Sequence, residues 1–139
     1  MGGINKIQIP SSTKNLAKIR KFVEEKAVEM GFDPTLTNQI VLSVDEACTN
    51  IIKYTHKYDE NEQIELKVDE NGRQIKITIN YHGGSFDPNS SDEPDMDKYF
   101  EKFQVGGLGI PLMRKFMNDI VYVHKKPDNN SLILTKFLP

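Results

Sequence analysis

Two runs of alternating apolar residues limit this chain more than any other feature. Ile64, Leu66 and Val68 alternate with polar residues, Asp69-Glu70-Asn71-Gly72 follows, and Ile75, Ile77, Ile79 and Tyr81 alternate again. Side chains two apart on a strand share a face, so the pattern predicts an antiparallel hairpin with one buried side. Asn-Gly is a strong turn signal at its tip. Such a face needs a covering layer. The preceding sequence supplies one. Leu16, Ile19, Val23, Ala27 and Met30 recur at steps of three and four, which predicts a helix over residues 13–30, capped by Ser11-Ser12-Thr13 and stopped by Gly31. Asp33-Pro34 restarts the chain as cap and first-turn proline. Leu36, Ile40, Val41, Val44, Ala47, Cys48, Ile51 and Ile52 then keep helical spacing to about Tyr54, while Ser43, Glu46, Asn50, Lys53 and Lys57 fall on the opposite side.

The remaining segments complete the outline. Ile7 and Ile9 predict a short strand ending at Pro10. Leu108 to Met117 can form a third helix, with Pro111 tolerable in its first turn. Residues 120–124 and 132–137 are β-rich and read as a second hairpin around residues 125–130. Residues 82–107 break all periodicity; a stretch of that length in a small chain is either functional or disordered. The order predicts an α+β fold, a two-layer sandwich of a mixed, mostly antiparallel sheet with helices on one face, as a single domain over residues 1–139.

Charge and composition exclude several functions. With 18 basic and 20 acidic side chains the formal charge is −2, so no global field draws the chain to nucleic acid or anionic lipid. A single cysteine excludes an intrachain disulfide and a cysteine zinc site. Cys48 lies on the apolar side of its helix and reads as a packed thiol. His56, His82 and His124 lack metal-ligand spacing and read as surface or strand-end residues. No apolar run approaches the roughly 20 residues needed to span a bilayer. Met1-Gly2-Gly3-Ile4-Asn5-Lys6 lacks the apolar core of a signal peptide, so the expected setting is the cytoplasm.

Three segments can carry chemistry. Glu46, Asn50 and Lys53 stack on one helical face, where a carboxylate, an amide and an ammonium suit metal-phosphate chemistry; the alternative is a solvated polar face. Gly83-Gly84-Ser85-Phe86-Asp87-Pro88 follows a strand, where glycines admit a flat ligand or simply make a turn. Gly106-Gly107-Leu108-Gly109 opens a helix, whose free N–H groups suit a phosphate, or else forms a hinge.

Taken together, Glu46-Ala47-Cys48-Thr49-Asn50, Gly83-Gly84-Ser85-Phe86-Asp87-Pro88 and Gly106-Gly107-Leu108-Gly109-Ile110 resemble the N, G1 and G2 boxes of the GHKL ATPase superfamily. The short length and the Phe86-Asp87-Pro88 ending look most like anti-sigma factor serine kinases, over about residues 7–137. The resemblance implies a Bergerat fold binding ATP and Mg²⁺. By position Asn50 would ligate Mg²⁺, Glu46 would be the catalytic base or orient the attacking group, and Lys53 would lie near the phosphates. Gly83 would let the adenine approach, Phe86 would wall the pocket with Asp87 beside it, and residues 88–105 would form a lid. Gly106, Gly107, Leu108 and Gly109 would wrap the phosphates, and Thr135 matches a threonine that hydrogen-bonds near the adenine. The implied partners are a sigma factor and an anti-sigma antagonist protein, with no direct nucleic acid and no membrane. Kinases of this type often pair, so a homodimer is allowed.

Two residues depart from that pattern. Tyr81 stands where the family has the aspartate that accepts a hydrogen bond from the adenine amino group. Loss of a charge-assisted hydrogen bond of about 1.5–3 kcal/mol weakens binding by roughly 10- to 150-fold. Tyr54 stands where many of these kinases have histidine. The acidic residues between Asp87 and Val105 read as side chains pointing to water, where screening makes them nearly harmless.

Overall fold

Alternation in the sequence becomes register in the sheet. The computed structural model describes residues 5–83, 109–125 and 127–139. In chain order these form β1 (Lys6–Pro10), a 3₁₀ turn (Thr13–Asn15), α1 (Leu16–Met30), α2 (Pro34–Asn50), a π-helical turn (Ile51–Thr55), β2 (Gln63–Asn71), β3 (Gln74–His82), α3 (Gly109–Phe116), β4 (Asp119–Lys125) and β5 (Asn129–Phe137). The five strands lie in the order β1-β2-β3-β5-β4. Every pairing is antiparallel, so among the described residues the sheet is not mixed as the sequence suggested. The reason is in the connections. Two helices rather than one separate β1 from β2, so the chain reverses three times, at β1 to α1, α1 to α2 and α2 to β2, and β2 returns antiparallel to β1.

The helix ends follow the local chemistry. Asp33 Oδ1 accepts the Leu36 N–H at 2.8 Å, and Pro34 opens α2. Gly31 stops α1 at φ 106°, a conformation that favours glycine. The first hairpin turns one residue later than expected, because Asn71 still pairs with Gln74 and the loop is Gly72-Arg73. In the second hairpin β5 begins at Asn129 rather than Leu132, so its loop is shorter than the sequence implied.

One core joins the two layers. Ile19, Val23 and Ala27 of α1, Ile40, Val44 and Ala47 of α2, and Met113 of α3 bury against Ile64, Leu66, Ile75, Ile77, Ile79, Leu132 and Leu134 of the sheet. Arg20 and Asp45 add an ion pair at 2.9 Å between α1 and α2, partly exposed and therefore a minor contribution. After Thr55 the chain turns through two left-handed residues, Lys57 (φ 51°) and Tyr58 (φ 66°), and the Tyr58 N–H closes back on the Ile52 carbonyl at 2.9 Å. This turn delivers the chain to β2 and leaves the end of α2 beside the end of β3.

Candidate functional site

The polar side of α2 is not a solvated face. Ser43 is buried, its Oγ donating to the Gln39 carbonyl at 2.9 Å, and Glu46 is half-buried. Asn50, one turn beyond Glu46, is only 4% exposed, and its Nδ2 is buried with no hydrogen-bond partner. A buried unpaired amide costs about 1–3 kcal/mol, so this group is a candidate to be satisfied by a bound ligand or water. Lys53 does not share its environment. It is exposed, whereas an unbroken α-helix would set it within about 60° of Asn50. The π-helical turn that begins at Ile51 changes the winding and carries Lys53 off that line. Cys48 is fully buried in the core, and that burial, with the Asp45 carboxylate adding to it, pushes its thiol far above the ordinary value. It is inert packing.

The end of β3 approaches the end of α2 without intervening side-chain bulk. Gly83 has φ 120°, its N–H donates to the Asp128 carbonyl at 3.0 Å, and its own carbonyl accepts from Asn130 Nδ2 at 3.0 Å. A Cβ placed on Gly83 would meet Thr55 Cγ2 at 3.1 Å, so glycine is what permits this closeness. His56, read from sequence as a surface or strand-end residue, is instead 5% exposed. Its Nδ1 pairs with Ser11 Oγ at 2.7 Å and its Nε2 with the His82 carbonyl at 2.7 Å, so Nε2 carries the proton and donates. The ring thus ties the residue just after β1 and the end of β3 to the end of α2. Tyr81 is 3% exposed on the helix-facing side of β3, with its ring edge-on to His56 at a centroid distance of 6.1 Å.

Other expected residues do not gather here. Thr135 pairs with Lys76 and Asp119 on the face turned away from the helices, the face opposite to Tyr81, which pairs with Asn130. Successive residues of a strand alternate faces, so Thr135 is not aimed at the ground between sheet and α2. Tyr54 points outward at 39% exposure. The residue beside it, Thr55, was not singled out in the sequence, yet its Oγ1 is buried without a partner and its methyl faces Gly83. Gly109 begins α3. Phe86, Asp87, Gly106, Gly107, Leu108 and the expected lid at 88–105 lie outside the described residues.

The donor chemistry fits a magnesium nucleotide better than a metal cage. Among the described residues no three His, Cys, Asp or Glu side chains come together to hold a cation. One amide and one carboxylate suit Mg²⁺ that arrives with phosphate oxygens and water as its other ligands. The Asn50 amide can present its oxygen to such a cation, or its unpaired NH₂ to a phosphate. On the far face of the sheet Gln8, Glu65, Asn80 and Ser131 line a separate polar hollow of about 300 Å³. A wider hollow, about 850 Å³, opens between Val28 of α1, Leu42 of α2 and Phe116 of α3.

Residues 9–136 match the family model described as the histidine kinase-like ATPase domain. The chain belongs to this family. Over 137 residues it is 30% identical to the serine-protein kinase RsbW of Bacillus thuringiensis strain Al Hakam, covering 95% of this chain and 83% of the relative. It is 28% identical over 136 residues to the RsbW of Bacillus cereus strain ATCC 10987, with the same coverage. Among solved structures, the RsbU and RsbW domains of Rv1364c from Mycobacterium tuberculosis superpose with a TM-score of 0.62 at 12% identity, covering 97% of this chain and 33% of that one. The catalytic domain of the histidine kinase ThkA superposes with a TM-score of 0.55 at 15% identity, covering 96% of this chain and 97% of that one. The α+β architecture is that of the histidine kinase-like ATPases, and the chain is homologous to the RsbW kinases. Among the described residues no helix is long and apolar enough to cross a membrane.

Proposed function

We propose that this chain is an anti-sigma regulatory factor of the protein serine kinase type, which binds MgATP and phosphorylates an antagonist partner while sequestering a sigma factor. The carrying observation is the buried, unpartnered Asn50 amide one turn beyond Glu46, on a helix whose end at Thr55 and His56 packs against the Gly83 turn. When bound, the nucleotide supplies the phosphoryl group and its Mg²⁺ offsets the phosphate charge. Asn50 holds the metal-phosphate end. Glu46 accepts the proton of a partner serine hydroxyl or orients it, help worth about 10²–10⁴ in rate. Gly83 leaves space for the base. The RsbW name borne by the homologues supports the kinase assignment.

A second reading rests on Tyr81. A ring 3% exposed against His56 occupies helix-side volume and offers no carboxylate to the adenine amino group. The same fold then acts as a partner-switching module that is catalytically weak or independent of nucleotide. Calorimetry with MgATP on the native chain and on Tyr81→Asp separates the two. Micromolar affinity in the native chain supports the kinase; weak native binding with a gain of about tenfold or more in the variant supports the module. If neither binds, the nucleotide site is wrong. Glu46→Ala should abolish phosphoryl transfer to a partner and spare binding; undiminished transfer would remove Glu46 from the reaction.

A further inference from the structure

We infer that Thr55 reads the nucleotide base in place of the aspartate missing at position 81, so that the site accepts 6-amino and 6-oxo purine nucleotides with little discrimination. This rests on the nucleotide-binding reading above and deepens it.

In an α-helix the residue four positions on lies nearly above its predecessor, so an unbroken α2 would stack Tyr54 over Asn50. The turn over Ile51–Thr55 is instead closed by i→i+5 bonds, seen in the His56 N–H to Ile51 carbonyl contact at 2.9 Å. Such a turn spends one more residue per revolution, so Thr55 comes round to the place Tyr54 would have held. The side chains agree with this. Tyr54 is exposed, whereas Thr55 presses its methyl toward Gly83 and buries its hydroxyl. Two of the buried side-chain polar atoms left without a partner, Asn50 Nδ2 and Thr55 Oγ1, are therefore one π-turn apart on the helix end that faces the β3 turn. Of the two, Thr55 is the one whose side chain meets Gly83, the glycine expected to admit the base.

Chemistry then sets the selectivity. An ionised carboxylate only accepts hydrogen bonds, so it favours the 6-amino group of adenine and repels the 6-oxo group of guanine. A hydroxyl both donates and accepts, and it rotates to suit either. With Tyr81 buried against His56 and no carboxylate at that position, the Thr55 hydroxyl is the unpartnered polar group beside Gly83 among the described residues.

The test is calorimetry of the full chain with MgATP and with MgGTP. The two native dissociation constants should agree within about fivefold. Thr55→Val keeps the shape and removes the hydroxyl, and should weaken both nucleotides by about 2- to 12-fold, the range of one neutral hydrogen bond. Thr55→Ser keeps the hydroxyl and should bind like the native chain. Tyr81→Asp should raise the preference for ATP over GTP by about tenfold or more. Native binding that favours ATP 50-fold, or that Thr55→Val leaves unchanged, overturns the role of Thr55 while the nucleotide site stands. A loss in the Ser variant with none in the Val variant also overturns it, since that would trace the effect to the methyl packed on Gly83. A native chain that binds neither nucleotide overturns both readings.

Discussion

A single buried amide holds the turn at Gly83 in place. Asn130 is 3% exposed; its Oδ1 accepts from Tyr122 Oη at 2.6 Å and pairs with His124 Nδ1 at 2.7 Å, while Nδ2 donates to the Gly83 carbonyl at 3.0 Å. Truncation would strand buried groups on both sides of it, and each such loss costs about 1–3 kcal/mol. Asn130→Ala should therefore lower stability by about 2–3 kcal/mol, read as a shift in the urea midpoint; a change under about 0.5 kcal/mol would show that the network contributes nothing. The sequence hid this residue. Asn129-Asn130 reads as hairpin loop by composition, and only the register that starts β5 at Asn129 turns it into a strand residue facing the helices. His56 was hidden for a related reason. Its partners, Ser11 and His82, are distant in sequence, so neither spacing nor periodicity announces them.

At the scale of elements, what was legible is what is local. The Asp33 cap, Pro34, Gly31 and the alternation from Ile75 to Tyr81 are each dictated by a few neighbouring residues, and each appears in the structure as the sequence implied. The π-helical turn is not local in that sense. Ile51-Ile52-Lys53-Tyr54-Thr55 carries no glycine or proline to break the α-helix, and continuing it unbroken misassigns Lys53, Tyr54 and Thr55 together. The facing of Thr135 is not local either, because Leu132-Ile133-Leu134 is a continuous apolar run that leaves it open until the pairing is known. The exit from the π-turn stores strain. Lys57 sits at φ 51°, which costs a side-chain-bearing residue about 1–2 kcal/mol relative to glycine. Glycine loses about 0.4–1 kcal/mol more on folding through the freedom of the unfolded chain. Lys57→Gly should thus stabilise the protein by about 0.5–1 kcal/mol. Chemical denaturation would check this, and any loss of stability would mean that the Lys57 side chain makes a contact outweighing its backbone strain.

Across the whole molecule, the sheet and the third helix are joined by a cation. Lys136 faces the helices from β5, is 8% exposed, and donates from Nζ to the carbonyl of Phe116, the last residue of α3. A positive charge suits the carbonyl end of a helix, and this one anchors α3, whose first residue, Gly109, closes the glycine cluster of the expected phosphate loop. Burial acts against the charge and holds the Lys136 amine below its ordinary value of 10.5. The consequence for stability has a definite sign. Below the lowered folded value both states are protonated, and the fold carries the full cost of burying the charge. Between that value and 10.5 the unfolded chain binds more protons than the folded one, so stability attributable to Lys136 rises with pH through this window. Lys136→Met keeps most of the stem and removes the titration, so other groups cancel when the two proteins are compared. The melting temperature of the native chain minus that of the variant should climb as pH is raised from about 7.5 to about 10. A difference that stays level, or falls, would mean that the amine is as well solvated in the fold as in the open chain, and α3 would then be held to the sheet by Met113 and Met117 rather than by the lysine.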